Sequence, residues 1–318
     1  MTQIMKTKIL NLSCILAFAL LCSVSFAQPK PTPPVATGVV VQNFPVQHQP
    51  SGLSFDGANI WVVNHGDNSV TKLRARDGTE LGTFTVGQVP ANATFDGANV
   101  WVTNSLDDTV SKLRASDGTS LGRFPVPPEP GELVFDGTYI WVVCFTVDKV
   151  AKLRASDGAL EGTFRCGDGP WGIAFDGANL WITDHNSAQV AELRASDGVL
   201  LGTFPVGSFP DSLVFDGENI WTANSEDDSV TKLRASDGTL LGTFRVGGLP
   251  SGIAFDGRNI WVTNYFDDNV SLLKGKDGTL KGTVPVGDQP GYIIFDGTSL
   301  WVTNFASDTV SKITRTSP

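Results

Sequence analysis

Cysteine, histidine and long apolar runs are scarce in this chain. Four cysteines and three histidines stand among 318 residues. Cys14 and Cys22 fall in an N-terminal apolar stretch, which leaves Cys144 and Cys166 for the body of the protein. Two cysteines exclude a disulfide-built scaffold and a cysteine-rich zinc cluster. Apart from residues 9–22, no segment approaches the ~20 apolar residues that span a bilayer. Basic residues are also in deficit, 23 against 33 acidic ones, for a net charge of −10. That sign disfavours a nucleic-acid backbone or an anionic lipid surface as partner. Helical periodicity is absent from residue 39 onward.

The chain starts MTQIMKTKIL, with Lys6 and Lys8 ahead of the apolar stretch. Ser25-Phe26-Ala27 offers small residues at the two positions a signal peptidase reads. This is the pattern of a secretory signal peptide over residues 1–27, cleaved after Ala27. Leu21 stands before Cys22, where a lipid attachment site needs a small residue. The mature chain then carries 21 basic and 33 acidic side chains, net −12, and is expected to be soluble and secreted or periplasmic. Residues 28–38, QPKPTPPVATG, are Pro-rich and expected to form an extended, mobile leader.

What the chain has in abundance is self-similarity. "FDG" begins at Phe55, Phe95, Phe135, Phe175, Phe215, Phe255 and Phe295, a strict period of 40. Six residues after each Phe stands a Trp: Trp61, Trp101, Trp141, Trp181, Trp221, Trp261 and Trp301. Within residues 251–286 four short apolar runs, SGIAFD, NIWVTN, NVSLLKG and TLKGTVPV, are separated by turn residues. Asp-Gly suits these turns because Gly takes positive φ without steric cost and Asp bonds back to the chain. Four strands per 40-residue unit predict the blades of an all-β, seven-bladed β-propeller. The seven repeat Trp rings are then blade-to-blade packing.

One copy is split. VVVQNFPV, residues 39–46, matches the fourth strand of the repeat with no first three ahead of it. At the other end FDGTSLWVTNFASDTVSKITRTSP supplies three strands and stops. Residues 39–46 are therefore expected to pair antiparallel with residues 309–315 and close the last blade. The propeller spans residues 39–314, with a tail at 315–318. A solenoid would instead need atypical capping repeats.

The unit IWVTNYFDDNVSLLKGKDGTLKGTVPVGDQPGYIIF resembles the YVTN-type β-propeller repeat, with WVTN in the place of YVTN and a following VG..P.G. Its DG..LW.T core is similar, more distantly, to the streptogramin B (virginiamycin B) lyase propellers. The YVTN resemblance implies a secreted or surface binding or structural protein. The lyase resemblance implies an enzyme that opens a cyclic depsipeptide with a histidine and acidic, metal-linked partners. That family carries P-H-G before the first strand and W-F-T-E in the second. Here the position after the repeat Pro holds Ser51, Ala91, Gly131, Trp171, Asp211, Ser251 and Gly291, with no histidine. The Glu position holds one acid, Asp184.

The seven copies differ mainly in two connections, between strands two and three and between consecutive blades. Alternating strand direction puts both on one face, at the mouth of the central channel. On blades 3–5, Glu132, Phe145, Trp171, Asp184, His185 and Asp211 depart from the repeat. Aromatic and acidic groups converging there predict a site for a polar, cationic or sugar-like ligand, that is, a small molecule, a glycan or a protein. The alternatives are loop drift, with Trp171 plugging the mouth and the acids solvated. His48, His65 and His185 also fall on this face and read as surface histidines. No catalytic triad, metal ligand set or cofactor motif can be assigned by spacing. Asp107-Asp108, Asp227-Asp228 and Asp267-Asp268 read as turn formers, since they lack the ligand spacing of a calcium loop. Cys144 and Cys166 lie two strand spacings apart, too far for a disulfide. The reading is a secreted, monomeric, non-catalytic binding or scaffold propeller. A lyase or hydrolase of the streptogramin type is the alternative.

Overall fold

The computed structural model describes residues 34–316. The expected signal peptide, the first half of the Pro-rich leader and the last two residues lie outside the described residues. Within them, 28 strands form seven four-stranded antiparallel sheets. The first blade shows the plan: β2 (Pro50–Phe55), β3 (Asn59–Asn64), β4 (Ser69–Arg74) and β5 (Glu80–Thr85), paired in sequence order. The first strand of each blade packs on those of both neighbours, and β26 (Pro290–Phe295) meets β2. The ring is closed, and the first strands surround its axis.

The split copy completes the last blade. β1 (Val39–Pro45) pairs antiparallel with β28 (Thr309–Arg315), from Val39 opposite Arg315 to Pro45 opposite Thr309. The sheet order is β1, β28, β27 (Ser299–Asn304), β26. Phe44 lies 5.6 Å from Trp301, as Phe84 lies 5.5 Å from Trp61 in an unbroken blade. The described part of the Pro-rich leader is also engaged. The Ala36 N–H donates to the Thr283 carbonyl (2.8 Å) and the Thr283 N–H to that of Pro34 (2.9 Å). The chain therefore covers part of blade 6's outer edge before it closes blade 7, and edge backbone groups that invite pairing with other chains are covered.

The core lies between blades. Trp101 and Val110 of blade 2 pack with Leu133, Ile140, Val142 and Leu153 of blade 3, and the pattern recurs around the ring to the Trp301–Leu53 cluster that joins blade 7 to blade 1. All seven repeat Trp residues are fully buried. A buried indole needs a partner for its N–H, and the FDG aspartate supplies it: Asp56 accepts from Trp61 at 2.9 Å and Asp136 from Trp141 at 2.6 Å. The FDG motif thus does more than turn the chain.

Lysine ties the blades in a way the repeat pattern did not suggest. Lys72, Lys112, Lys152, Lys232 and Lys312 lie 6–8% exposed. Each ammonium sits 4.7–5.3 Å from its own blade's Trp ring centre. Each also donates to a turn carbonyl of the next blade, as Lys72 does to Ala115 at 2.6 Å. A cation over an aromatic face with carbonyl acceptors is how a charge is tolerated at such depth.

Candidate functional site

The channel mouth is shaped by a local irregularity. In blades 2–7 the pairing of strands one and two slips between the Pro and the third residue after it, for example between Pro130 and Leu133 and between Pro170 and Ile173. Residues 131–132, 171–172 and 211–212 sit in these slips. Such bulges free a strand from its ladder and re-aim its side chains. Trp171, Asp211 and Glu132 all occupy them.

Four rings gather on blades 3–5. Phe145 opens a single 3₁₀ turn, Phe145–Val147, found in the corresponding loop of no other blade among the described residues. Its ring meets Trp171 edge-on at 5.5 Å. Trp171 lies 5.5 Å from His185 at a 31° tilt, and His185 meets Phe209 edge-on at 4.9 Å. His185 Nδ1 lies 3.3 Å from the Pro210 carbonyl. Burial lowers the His185 pKa, the carbonyl opposing this only in part, so the ring is neutral at pH 7. All four rings are half-buried.

Two carboxyls stand beside and below the rings. Asp211 is faced by the indole N–H of Trp171 and the hydroxyl of Ser251. Burial lifts it to about 7 although both neighbours favour the ionised form. Glu132 accepts from the Ile173 N–H at 3.1 Å and is faced by the Ser212 hydroxyl. Burial lifts it to about 8, and the Asp211 charge adds to the rise. Glu132 of blade 3 thereby touches blades 4 and 5. Tyr292 of blade 7, which faces Asn92 of blade 2, feels its charge too. Its hydrogen bonds to blades 4 and 5 and its influence on blade 7 place Glu132 within the central channel.

The six expected site residues do not all converge. Phe145, Trp171, His185 and Asp211 meet directly, and Glu132 joins through Asp211. Asp184 does not: the residue is 2% exposed and its carboxyl lies under Gly167 in the connection between blades 3 and 4. Side chains alternate along a strand, and the end of β15 (Asn179–Asp184) turns this one away from the rings. Its Oδ1 has no hydrogen-bond partner. The corresponding Asn residues donate to hydroxyls on strand three, as Asn104 does to Ser111 at 2.9 Å. Blade 4 has Ala191 in that place. Burial, then Asp168 and Asp148, lift Asp184 to about 7.

The histidines divide. His48 is exposed and pairs with Asp67 at 3.0 Å. His65 and His185 are not solvated as expected. Both are half-buried and reach the next blade's proline carbonyl, at 3.2 and 3.3 Å. The paired aspartates act as loop ties as well as turn formers. Asp107 accepts from the Gln88 N–H and Asp108 from that of Glu129, which pins one loop to the connections on both sides. Cys144 and Cys166 are free and buried, and burial pushes the Cys144 thiol up to about 12.

Sequence reasoning missed Phe209, Ser251 and the inner ring of Asn92, Ser212 and Tyr292. The signal was present: the second residue after each repeat Pro reads Gly, Asn, Glu, Gly, Ser, Gly, Tyr. A position that varies from glycine to tyrosine within a strict repeat is not set by blade packing. Among the described residues no three His, Cys, Asp or Glu side chains converge as a metal set. No helix among them is long and apolar enough to cross a membrane.

No protein-family model and no curated protein sequence matches the chain. Solved structures do. Selenomethionine-substituted virginiamycin B lyase from Staphylococcus aureus is similar at 18% identity and a TM-score of 0.75, over 87% of this chain and 99% of that one. A streptogramin B lyase structure is 19% identical with a TM-score of 0.73, over 87% and 98%. A chain of Kuenenia stuttgartiensis hydrazine synthase is 18% identical with a TM-score of 0.76, over 92% and 99%. At these identities the likeness shows the propeller fold alone.

Proposed function

We propose that the mature chain is an exported, non-catalytic binding or scaffold propeller that recognises a neutral, polyhydroxylated ligand, such as a glycan end, at the channel mouth of blades 3–5. The observation that carries this reading is the cluster of Phe145, Trp171, His185 and Phe209 beside the Asp211 carboxyl. A sugar offers an apolar C–H face to an aromatic ring and hydroxyls that both donate and accept. A carboxyl balanced near neutrality matches such hydroxyls in either protonation state. The neutral His185 adds no charge for an anion. The YVTN-type resemblance agrees with a binding role.

Glycan-array screening of the mature protein, followed by titration of the hits, tests this. Trp171→Ala and Asp211→Asn are each expected to weaken binding at least tenfold. Binding that survives both changes refutes the site. A second reading, a lyase or hydrolase of the streptogramin type, draws on the same carboxyls. Glu132 and Asp211 have pKa values near working pH, as general acid–base chemistry requires. Cyclic depsipeptide turnover abolished by Glu132→Gln would support it.

A further inference from the structure

The opposite face of the propeller carries the turns that barely change from blade to blade, and there one blade interface breaks the lysine pattern. Among the described residues, six of the seven repeat Trp rings carry a cation. Five carry the lysine of their own blade. In blade 6 the lysine position is Leu272, and Arg315 supplies the cation instead, 5.6 Å from the centre of the Trp261 ring and paired with Asp256. Trp181 of blade 4 is the exception. The residue paired with it across the strands is Glu192.

The reversal of charge has local consequences. Asn179 Nδ2 donates to Glu192 at 2.7 Å, whereas the matching Asn59 and Asn219 bond the FDG aspartate. In blade 5 the Ala235 and Ser236 carbonyls occupy the positions that receive a lysine ammonium from the preceding blade elsewhere. Ala155 and Ser156, for example, accept from Lys112 at 2.7 and 3.2 Å. Ala75, Ala115, Ala155 and Ala195 are buried, but Ala235 is only half-buried. A cleft of about 440 Å³ opens between blades 4 and 5, lined by Asp176, Glu192, Glu218, Arg234, Ala235 and Ser236 among others. Glu218 adds a third carboxylate where the other blades have Ala, Thr or Arg258. Arg234 on the rim is held by Asp237 at 3.0 Å, as the matching Arg114 is by Asp117.

We propose that this cleft binds a primary ammonium group on an alkyl chain, supplied from outside, between the Glu192 and Glu218 carboxylates and the Ala235 and Ser236 carbonyls. The protein itself defines the ligand chemistry. At five equivalent interfaces a lysine side chain ends in two such carbonyls, and here the lysine is replaced by an acid that would pair with an incoming amine. An ammonium has three donors for these acceptors, and the surrounding carboxylates supply the opposite charge. The site lies on the face opposite the channel mouth and does not depend on the function proposed there.

The test is titration of the ¹⁵N-labelled mature protein with n-pentylamine and with Nα-acetyl-lysine N-methylamide. The amides of Glu218, Ala235 and Ser236 are expected to shift saturably with either amine. Response to pentylamine alone identifies a small free amine as the natural ligand, and response to both admits an exposed lysine of a partner. Glu192→Lys restores the lysine of the repeat and fills the cleft. It is expected to fold with an unchanged or higher melting temperature and to weaken amine binding at least tenfold. Glu192→Gln keeps the shape without the charge and is expected to weaken it severalfold. Absence of saturable shifts at tens of millimolar amine overturns the proposal. So does an equal response in Glu192→Lys, or an equal response to tetramethylammonium, which cannot donate.

Discussion

Glu132 makes the stability of this propeller depend on pH in an unusual direction. The residue sits within the central channel, 9% exposed, and burial raises its carboxyl from an ordinary 4.5 to about 8. The unfolded chain returns it to its ordinary value. Below about pH 4.5 it is protonated in both states, and its contribution is fully present. Between 4.5 and about 8 the native form holds a proton that the unfolded form has released, so stability falls as pH rises. Each pH unit costs up to ~1.4 kcal/mol, which amounts to about 4–5 kcal/mol across the window. Asp211 and Asp184, both raised to about 7, act in the same direction, and these three acids outnumber His65 and His185, which burial lowers and which act the opposite way only up to their ordinary 6.5. The assay is urea denaturation of the mature protein at pH 5, 6, 7 and 8. Wild type is expected to lose stability at every step. Glu132→Gln keeps an acceptor for the Ile173 N–H and is expected to flatten the curve by several kcal/mol. A wild-type curve that is level or rising over this range refutes the reasoning, as does a Gln variant with the same slope.

Two further expectations concern the frame. Deleting residues 28–46 removes β1, strips Phe44 from Trp301 and bares the edge of β28. A markedly lower melting temperature with concentration-dependent association is expected, and a monomer with an unchanged midpoint would refute the clasp. Gly118 has φ +76°, and a Cβ there would lie 2.0 Å from the Phe84 ring of the preceding blade. Gly118→Ala is expected to cost about 2–4 kcal/mol from left-handed strain and overpacking together. In a double-mutant cycle with Phe84→Ala the overpacking part should vanish, and strict additivity of the two changes would show that the ring is not involved.

That glycine illustrates how far the sequence could be read. Its turn role was legible in the Asp-Gly pair, because φ preference is a property of the residue itself. Its second role, making room for a phenylalanine 34 residues earlier, depends on two blades lying side by side. The buried lysines are similar. In SVTKLR the lysine looks like an ordinary polar strand residue, and only the next blade's turn supplies its carbonyl partners. Asp184 and His185 are neighbours in the chain, yet strand alternation leaves one buried under Gly167, as Asn104 is under Gly87, and the other in the ring cluster.

From the sequence alone follow the strand count, the seven blades and the closure by residues 39–46. All rest on local turn chemistry and on a strict 40-residue period with one copy divided between the ends. Those features repeat at short range and need no knowledge of the ring. The site rests on what the ring brings together. Glu132, Ser212 and Tyr292 are 80 residues apart in turn, and they face one another only because seven first strands surround one axis and bulges aim their side chains into it. Their proton affinities follow from burial in that channel, and burial is a property of the closed fold rather than of any one residue.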